Sequence, residues 1–162
     1  MNTAYIGLYV PAPSGLGLQS PFGAGAGAYA GKAIFIAGGA SAVGRLGKRS
    51  PLALACSYPL KKAYLAIQFA RLSGFSFIIT TASLKHAEYL KTLGATHVFD
   101  RYLPVETLQS QVSEIPGIPA IDVAYDAIGE HETSFAASIT LLAPGGKVVT
   151  TYPFLEWEPN DG

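Results

Sequence analysis

The chain has a single cysteine, Cys56, in 162 residues. One thiol can form neither an internal disulfide nor a cysteine zinc site, and a reducing, cytoplasmic setting is the expectation. Charge of either sign is scarce: 11 lysines and arginines balance 11 acids to a net charge of zero, mixed along the chain. That balance offers no basic surface for nucleic acid or an anionic membrane. No uninterrupted apolar run reaches the roughly 18 residues needed to span a bilayer. Met1–Val10 also lacks the basic start and apolar stretch of a secretory signal. His97 and His131 have no ligand spacing with any other His, Cys or acid cluster, so no metal is expected. A Gly-Lys-Ser/Thr phosphate loop is missing as well.

What is present is apolar. Hydrophobic residues make up 49% of the chain and charged ones 14%, the balance of a parallel sheet covered on both faces. The length fits one domain with a substantial core. Residues 11–31 are rich in Gly, Pro, Ala and Ser and read as a loop or linker. Beyond them strands alternate with helices. Ala33–Ala37, Phe77–Thr81, His97–Asp100, Ile121–Asp126 and Lys147–Thr151 read as five strands. Ala66–Leu72 reads as part of a helix, with Ile67, Ala70 and Arg71 at helical spacing and Gly74 as a stop. Further helices are predicted over Leu84–Leu93, with Ser83 as N-cap and Gly94 as C-cap, from Pro104 to about Glu114, and around Glu132–Leu142. This alternation predicts an α/β, Rossmann-type, doubly wound parallel sheet.

The first strand runs into Gly38-Gly39-Ala40-Ser41-Ala42-Val43-Gly44. Gly39, Ser41 and Gly44 occupy the three glycine positions of the dinucleotide-binding fingerprint, where backbone amides hold a pyrophosphate. Ser41 adds a hydroxyl able to donate to a phosphate oxygen, while its Cβ slightly limits backbone approach. The second strand ends in Thr80-Thr81-Ala82-Ser83-Leu84-Lys85-His86. A cofactor with a free ribose 2′-hydroxyl calls for an acid there. None is present, and a serine beside cations suits a 2′-phosphate, so NADPH is expected over NADH. Ser83 serves as N-cap, phosphate ligand or both; Lys85 and His86 are either solvated helix residues or phosphate ligands. Asp126 is either a cofactor-side residue or a local turn former. The predicted cofactor-binding set is therefore Gly39, Ser41, Ala42, Val43, Gly44, Ser83, Lys85, His86 and Asp126. No catalytic residue is assigned.

Five segments together resemble a known family. They are Gly38–Gly44, Ala66–Gly74, Leu93–Asp100, Tyr125–Gly129 (Tyr-Asp-Ala-Ile-Gly) and Leu141–Val149 (Leu-Leu-Ala-Pro-Gly-Gly-Lys-Val-Val). In this order they resemble the medium-chain dehydrogenases/reductases, especially the zinc-independent quinone-reductase and trans-enoyl-reductase branch of fungal type. The resemblance covers about residues 3–44 and 66–151. It implies a GroES-like catalytic domain before this region and a further segment after it, and Thr3–Leu8 resembles the helix that links the two domains. On that basis the sheet is expected to be incomplete at both ends. Residues 1–31 read as the remnant of an inter-domain helix and linker, 32–151 as the NAD(P)-binding domain, and 152–162 as a truncated tail.

Between Gly44 and Ala66 the resemblance leaves room for only a couple of residues, yet Arg45–Leu65 intervenes, with Pro51, Pro59, a basic cluster and the cysteine. The group that reads the ribose normally lies about 20 residues beyond the glycine turn. Ser83 lies 39 residues beyond Gly44, which leaves a surplus of about nineteen. Two explanations stand. A short intron retained in frame would account for the segment, and Gly47-Lys48 can be encoded by a run containing a GTAAG donor; genomic DNA without flanking splice sites would exclude it. An ordinary surface insertion is the alternative. Either way, Ser57 and Pro59 are placed to start a new helix from Leu60 through Leu72, with Tyr64, Ile67 and Arg71 on one face, so that the sheet survives.

The expected function is that of an NADP(H)-binding domain in an oxidoreductase moving hydride between nicotinamide and an enone, enoyl or quinone substrate. The alternative is a non-catalytic remnant with impaired cofactor binding. A Rossmann-like methyltransferase is disfavoured, because it too wants an acid after the second strand. The expected partners are the cofactor and a small-molecule substrate, with no nucleic acid and no membrane; the oligomeric state is left open.

Overall fold

In the computed structural model, which describes residues 3–23, 25–38 and 59–151, the sheet is built around Ala33–Ala37. This strand, β1, is Ala-Ile-Phe-Ile-Ala, and all five residues are buried. Only a strand with neighbours on both edges and cover on both faces tolerates an unbroken apolar run. β1 has both. It pairs in parallel with β2 (Phe77–Ala82) on one side and β4 (Ile121–Asp126) on the other. β3 (His97–Asp100) extends the sheet beyond β2, and β5 (Lys147–Thr150) extends it beyond β4. The order is β3-β2-β1-β4-β5, all parallel.

Helices cover both faces, as the period-2 alternation of the strands requires. On one face Ile34, Ile36, Val123 and Tyr125 meet α1 (Thr3–Tyr9), α2 (Pro59–Leu72) and α3 (Ala87–Leu93). On the other, Ala33, Phe35, Ile79 and Ala124 meet α4 (Val105–Ser113) and α5 (Ala136–Leu141). The expected doubly wound α/β sheet is what forms.

The element bounds sharpen several expectations. α2 begins at Pro59 and runs through Leu72, as the proline start predicts. Its buried stripe is Ala63, Ala66, Ile67 and Ala70, the i, i+3, i+4, i+7 set. Arg71, expected on the same face as Ile67, is instead exposed, and its Nη1 donates to the Thr92 carbonyl at 3.3 Å. Small residues face the sheet because an arginine there would bury an unpaired charge.

The helix predicted from Leu84 opens as a 3-10 turn over Leu84–His86 and becomes α3 only at Ala87. The tight turn uses the Ser83 carbonyl, which accepts from His86 N–H at 2.9 Å. The Ser83 hydroxyl makes no capping bond. Gly94 does terminate α3, at φ 126°. The helix predicted around Glu132 starts as a π-turn over His131–Phe135 before α5. Pro104 lies just outside α4, its carbonyl accepting from Leu108 N–H at 2.9 Å. Among the described residues no helix is long and apolar enough to cross a membrane.

Candidate nucleotide-binding edge

In an open parallel sheet, ligands bind outside the carboxyl ends of the strands where the strand order reverses. Here the chain winds outward through β1, β2 and β3, then crosses back to place β4 against the other edge of β1. The reversal therefore falls between β1 and β4, and Ala37-Gly38 and Asp126-Ala127 form its rim. Gly38 N–H donates to the buried Thr81 Oγ1 at 3.2 Å, and Thr80 Oγ1 donates to the Ile36 carbonyl at 2.6 Å. Two strand hydroxyls thus fix the end of β1 against β2.

Asp126 is fully buried at this rim. Its Oδ1 accepts from the Ile128 and Gly129 amides at 2.9 and 3.0 Å, and its Oδ2 accepts from Ser134 Oγ at 3.2 Å. Burial pushes its carboxyl above the ordinary carboxylate value. The Gly129 and Ile128 amides and the Ser134 hydroxyl pull it back, while Glu130 adds a smaller upward push. Both oxygens are thus engaged by the local turn. Of the two roles open for Asp126, the contacts shown here are those of a local turn former.

The predicted fingerprint residues Gly39, Ser41, Ala42, Val43 and Gly44 lie outside the described residues, as does most of Arg45–Leu65. Ser83 and His86 are half-buried and Lys85 is exposed, together at the carboxyl end of β2. That end lies one strand away from the reversal, where the ribose of a nucleotide crossing the crevice would sit.

The structure adds Arg101, which the sequence reading passed over. Ala82 pairs with Asp100 and Arg101 N–H donates to the Ala82 carbonyl at 3.0 Å, so Arg101 follows β3 beside Ser83. Its guanidinium lies over the Tyr102 ring, 4.6 Å from the centroid, and Nη2 donates to Tyr102 Oη at 2.6 Å. Its Nε is buried without a hydrogen-bond partner. A basic residue directly after the third strand was the available signal. Its value depended on knowing that β3 flanks β2.

A family model described as zinc-binding dehydrogenase matches residues 63–151. The chain belongs to this family. The match begins inside α2 and runs to the residue after β5, so this dehydrogenase-family assignment covers most of the sheet. Among curated proteins, a dual trans-enoyl reductase/FAD-dependent monooxygenase from Aspergillus terreus is 61% identical over 36 residues, 22% of this chain and 5% of that protein. Among solved structures, an alcohol dehydrogenase from Thermotoga maritima superposes with a TM-score of 0.61 at 19% identity, over 92% of this chain and 32% of that one. A putative zinc-binding dehydrogenase from Sinorhizobium meliloti, bound to NADP, gives 0.54 at 22% identity, over 77% of this chain and 31% of its own. The chain thus spans about a third of these solved structures. Among the described residues no group of three or more His, Cys, Asp or Glu could hold a metal ion.

Proposed function

We propose that the chain is the nucleotide-binding part of a nicotinamide-dependent reductase, with NADPH preferred over NADH. The observation that carries the preference is the carboxyl end of β2. It reads Ala82-Ser83-Leu84-Lys85-His86 with no carboxylate to accept from a ribose 2′-hydroxyl. Ser83, Lys85 and His86 are the proposed contacts with the adenosine end of the cofactor. The backbone of Gly39, Ser41, Ala42, Val43 and Gly44 is the proposed cradle for the pyrophosphate, and Asp126 shapes the turn beside it. The NADP-bound relative and the family match support a nicotinamide cofactor.

When bound, the cofactor supplies hydride. The chain's own residues bind it, orient it and fix the crevice rim. The proposed acceptor class is an activated enone, enoyl thioester or quinone, supported by the short stretch shared with a trans-enoyl reductase.

Titration of the full chain with NADPH and NADH, followed by thermal shift and nicotinamide fluorescence, tests this reading. Saturable binding with NADPH the tighter ligand is expected. At a hundredfold excess over Kd, mass action stabilises the fold by about 2.7 kcal/mol. No shift at millimolar NADPH would overturn the reading. One observation favours a second reading, a fold retained with impaired binding. In the sequence, Arg45–Leu65 separates the glycine turn from Ala66–Gly74, the segment that resembles the helix expected to follow that turn. A weak NADPH response without turnover is the outcome that reading predicts.

A further inference from the structure

The turn after β4 holds a hydroxyl with more acceptors than it has protons. Ser134 is buried, and its Oγ lies 3.2 Å from Asp126 Oδ2 and 3.3 Å from the Glu130 carbonyl oxygen. A serine hydroxyl has one proton and two lone pairs, so it can donate to only one of these oxygens at a time. Glu130 N–H donates to the same Oγ at 3.0 Å, which leaves the second lone pair able to accept another donor. On the far side of the carboxyl, Asp126 Oδ1 accepts from the Ile128 and Gly129 amides. A proton added to this carboxyl therefore belongs on Oδ2.

We propose that Asp126, Ser134 and the Glu130 carbonyl form a proton-operated switch built into the turn between β4 and α5. With Asp126 ionised, the Ser134 hydroxyl donates across to Oδ2 on the strand. When Oδ2 takes a proton from solvent, Oδ2–H donates to Ser134 Oγ and the hydroxyl turns to the Glu130 carbonyl. That new bond runs from residue 134 to residue 130, the i to i−4 back-bond of a helical serine. Asp126 and Ser134 keep partners in both states, so neither state strands a buried polar group. One hydroxyl rotates, and the switch needs no ligand.

The surroundings bring the proton uptake toward milder acidity. Burial raises the Asp126 pKa and Glu130 adds to the rise, against the hydrogen bonds from Gly129, Ile128 and Ser134. Ala37 of β1 and Thr150 of β5 flank Asp126, and the one ionisable group of β5, Lys147, pairs with Val123 at the strand's other end. α5 has no ionisable residue, Tyr125 stays neutral, and His131 and Glu132 of the turn are exposed.

Heteronuclear NMR of the full chain tests the switch between about pH 8 and pH 4. It follows the Asp126 side-chain carboxyl carbon and the backbone carbonyl carbon of residue 130. Glu130→Gln serves as the background, so that this side chain's own titration does not move the carbonyl. One step at a shared midpoint is expected for both carbons, lower than the parent's midpoint because a negative charge is gone. Adding Ser134→Ala should abolish the carbonyl step. Asp126 should still titrate, at higher pH for want of one hydrogen bond to its charged form. Adding Asp126→Asn instead should hold the carbonyl at its low-pH shift throughout, since the amide N–H donates where Oδ2–H does. A carbonyl step that survives either substitution overturns the switch, as does a carbonyl that stays still while Asp126 titrates. An Asp126 carboxyl that does not titrate in the folded chain overturns it too. If Ser134→Ala does not fold, the shared midpoint and the Asp126→Asn chain decide the matter.

Discussion

Tyr125 lies wholly inside the protein, its ring against Gly7 of α1 and its hydroxyl without a hydrogen-bond partner. Burial raises its pKa far above that of an ordinary tyrosine, with Asp126 adding to the effect, so the group stays neutral. An unsatisfied buried hydroxyl costs about 1–3 kcal/mol. Tyr125→Phe removes it and keeps the ring, and thermal denaturation should show a melting temperature equal to or above that of the parent. The facing position has the opposite sensitivity. A Cβ on Gly7 would lie 2.8 Å from Tyr125 Cε2 and 3.5 Å from Val149 Cγ1. The contact with the fully buried Tyr125 ring is too close to keep without a shift, so Gly7→Ala should cost about 1–3 kcal/mol in a urea titration, the usual penalty of overpacking. A glycine and a tyrosine far apart in the chain are thus one packing unit, and nothing in either local sequence announces it.

At the scale of elements, Asp126 couples β4 to the π-turn that opens α5. Its two oxygens hold the amides of Ile128 and Gly129 and the Ser134 hydroxyl, and Ser134 in turn accepts from Glu130 N–H at 3.0 Å. Ser134 is drawn toward the strand end, and this bonding accompanies the wider first turn of a helix expected to start regularly at Glu132. Asp126→Ala should cost about 2 kcal/mol, from amides and a hydroxyl left without their acceptor. Its pH dependence has a definite sign. The folded-state pKa is raised above the unfolded one, so this carboxyl's titration favours the fold most at pH values below the unfolded pKa. That share is lost as pH rises through the folded value. Asp126→Asn removes the titration, and acid-to-neutral stability curves of the two proteins should converge toward low pH and separate above it. The strands themselves were legible: β1, β3 and β4 have the residue limits that apolar runs and turn residues predict. The helix starts at Leu84 and Glu132 were not, because each is reshaped by a hydrogen bond to the chain that precedes it.

For the whole molecule, stability centres on β1, which touches both layers of helices and both halves of the sheet. Phe35 is fully buried in the face that α4 and α5 cover. Phe35→Ala should cost about 3–5 kcal/mol, seen as one cooperative loss in both far-UV and near-UV circular dichroism. By contrast, the Lys32–Asp122 pair spans 3.1 Å with both side chains about half exposed. Lys32→Met should change stability by less than about 1 kcal/mol. The amino-acid sequence by itself determined the class of fold, because period, apolar runs and turn residues are local properties carried by neighbouring residues. It also determined the chemistry at the end of β2, where no acid follows the strand. Only the tertiary structure decided which strand ends stand side by side. Strand order comes from the packing of two helical layers on one sheet, and that order turns Arg101, distant from Ser83 in the chain, into its neighbour. The same packing engages both oxygens of Asp126 in a turn, a role the sequence left open.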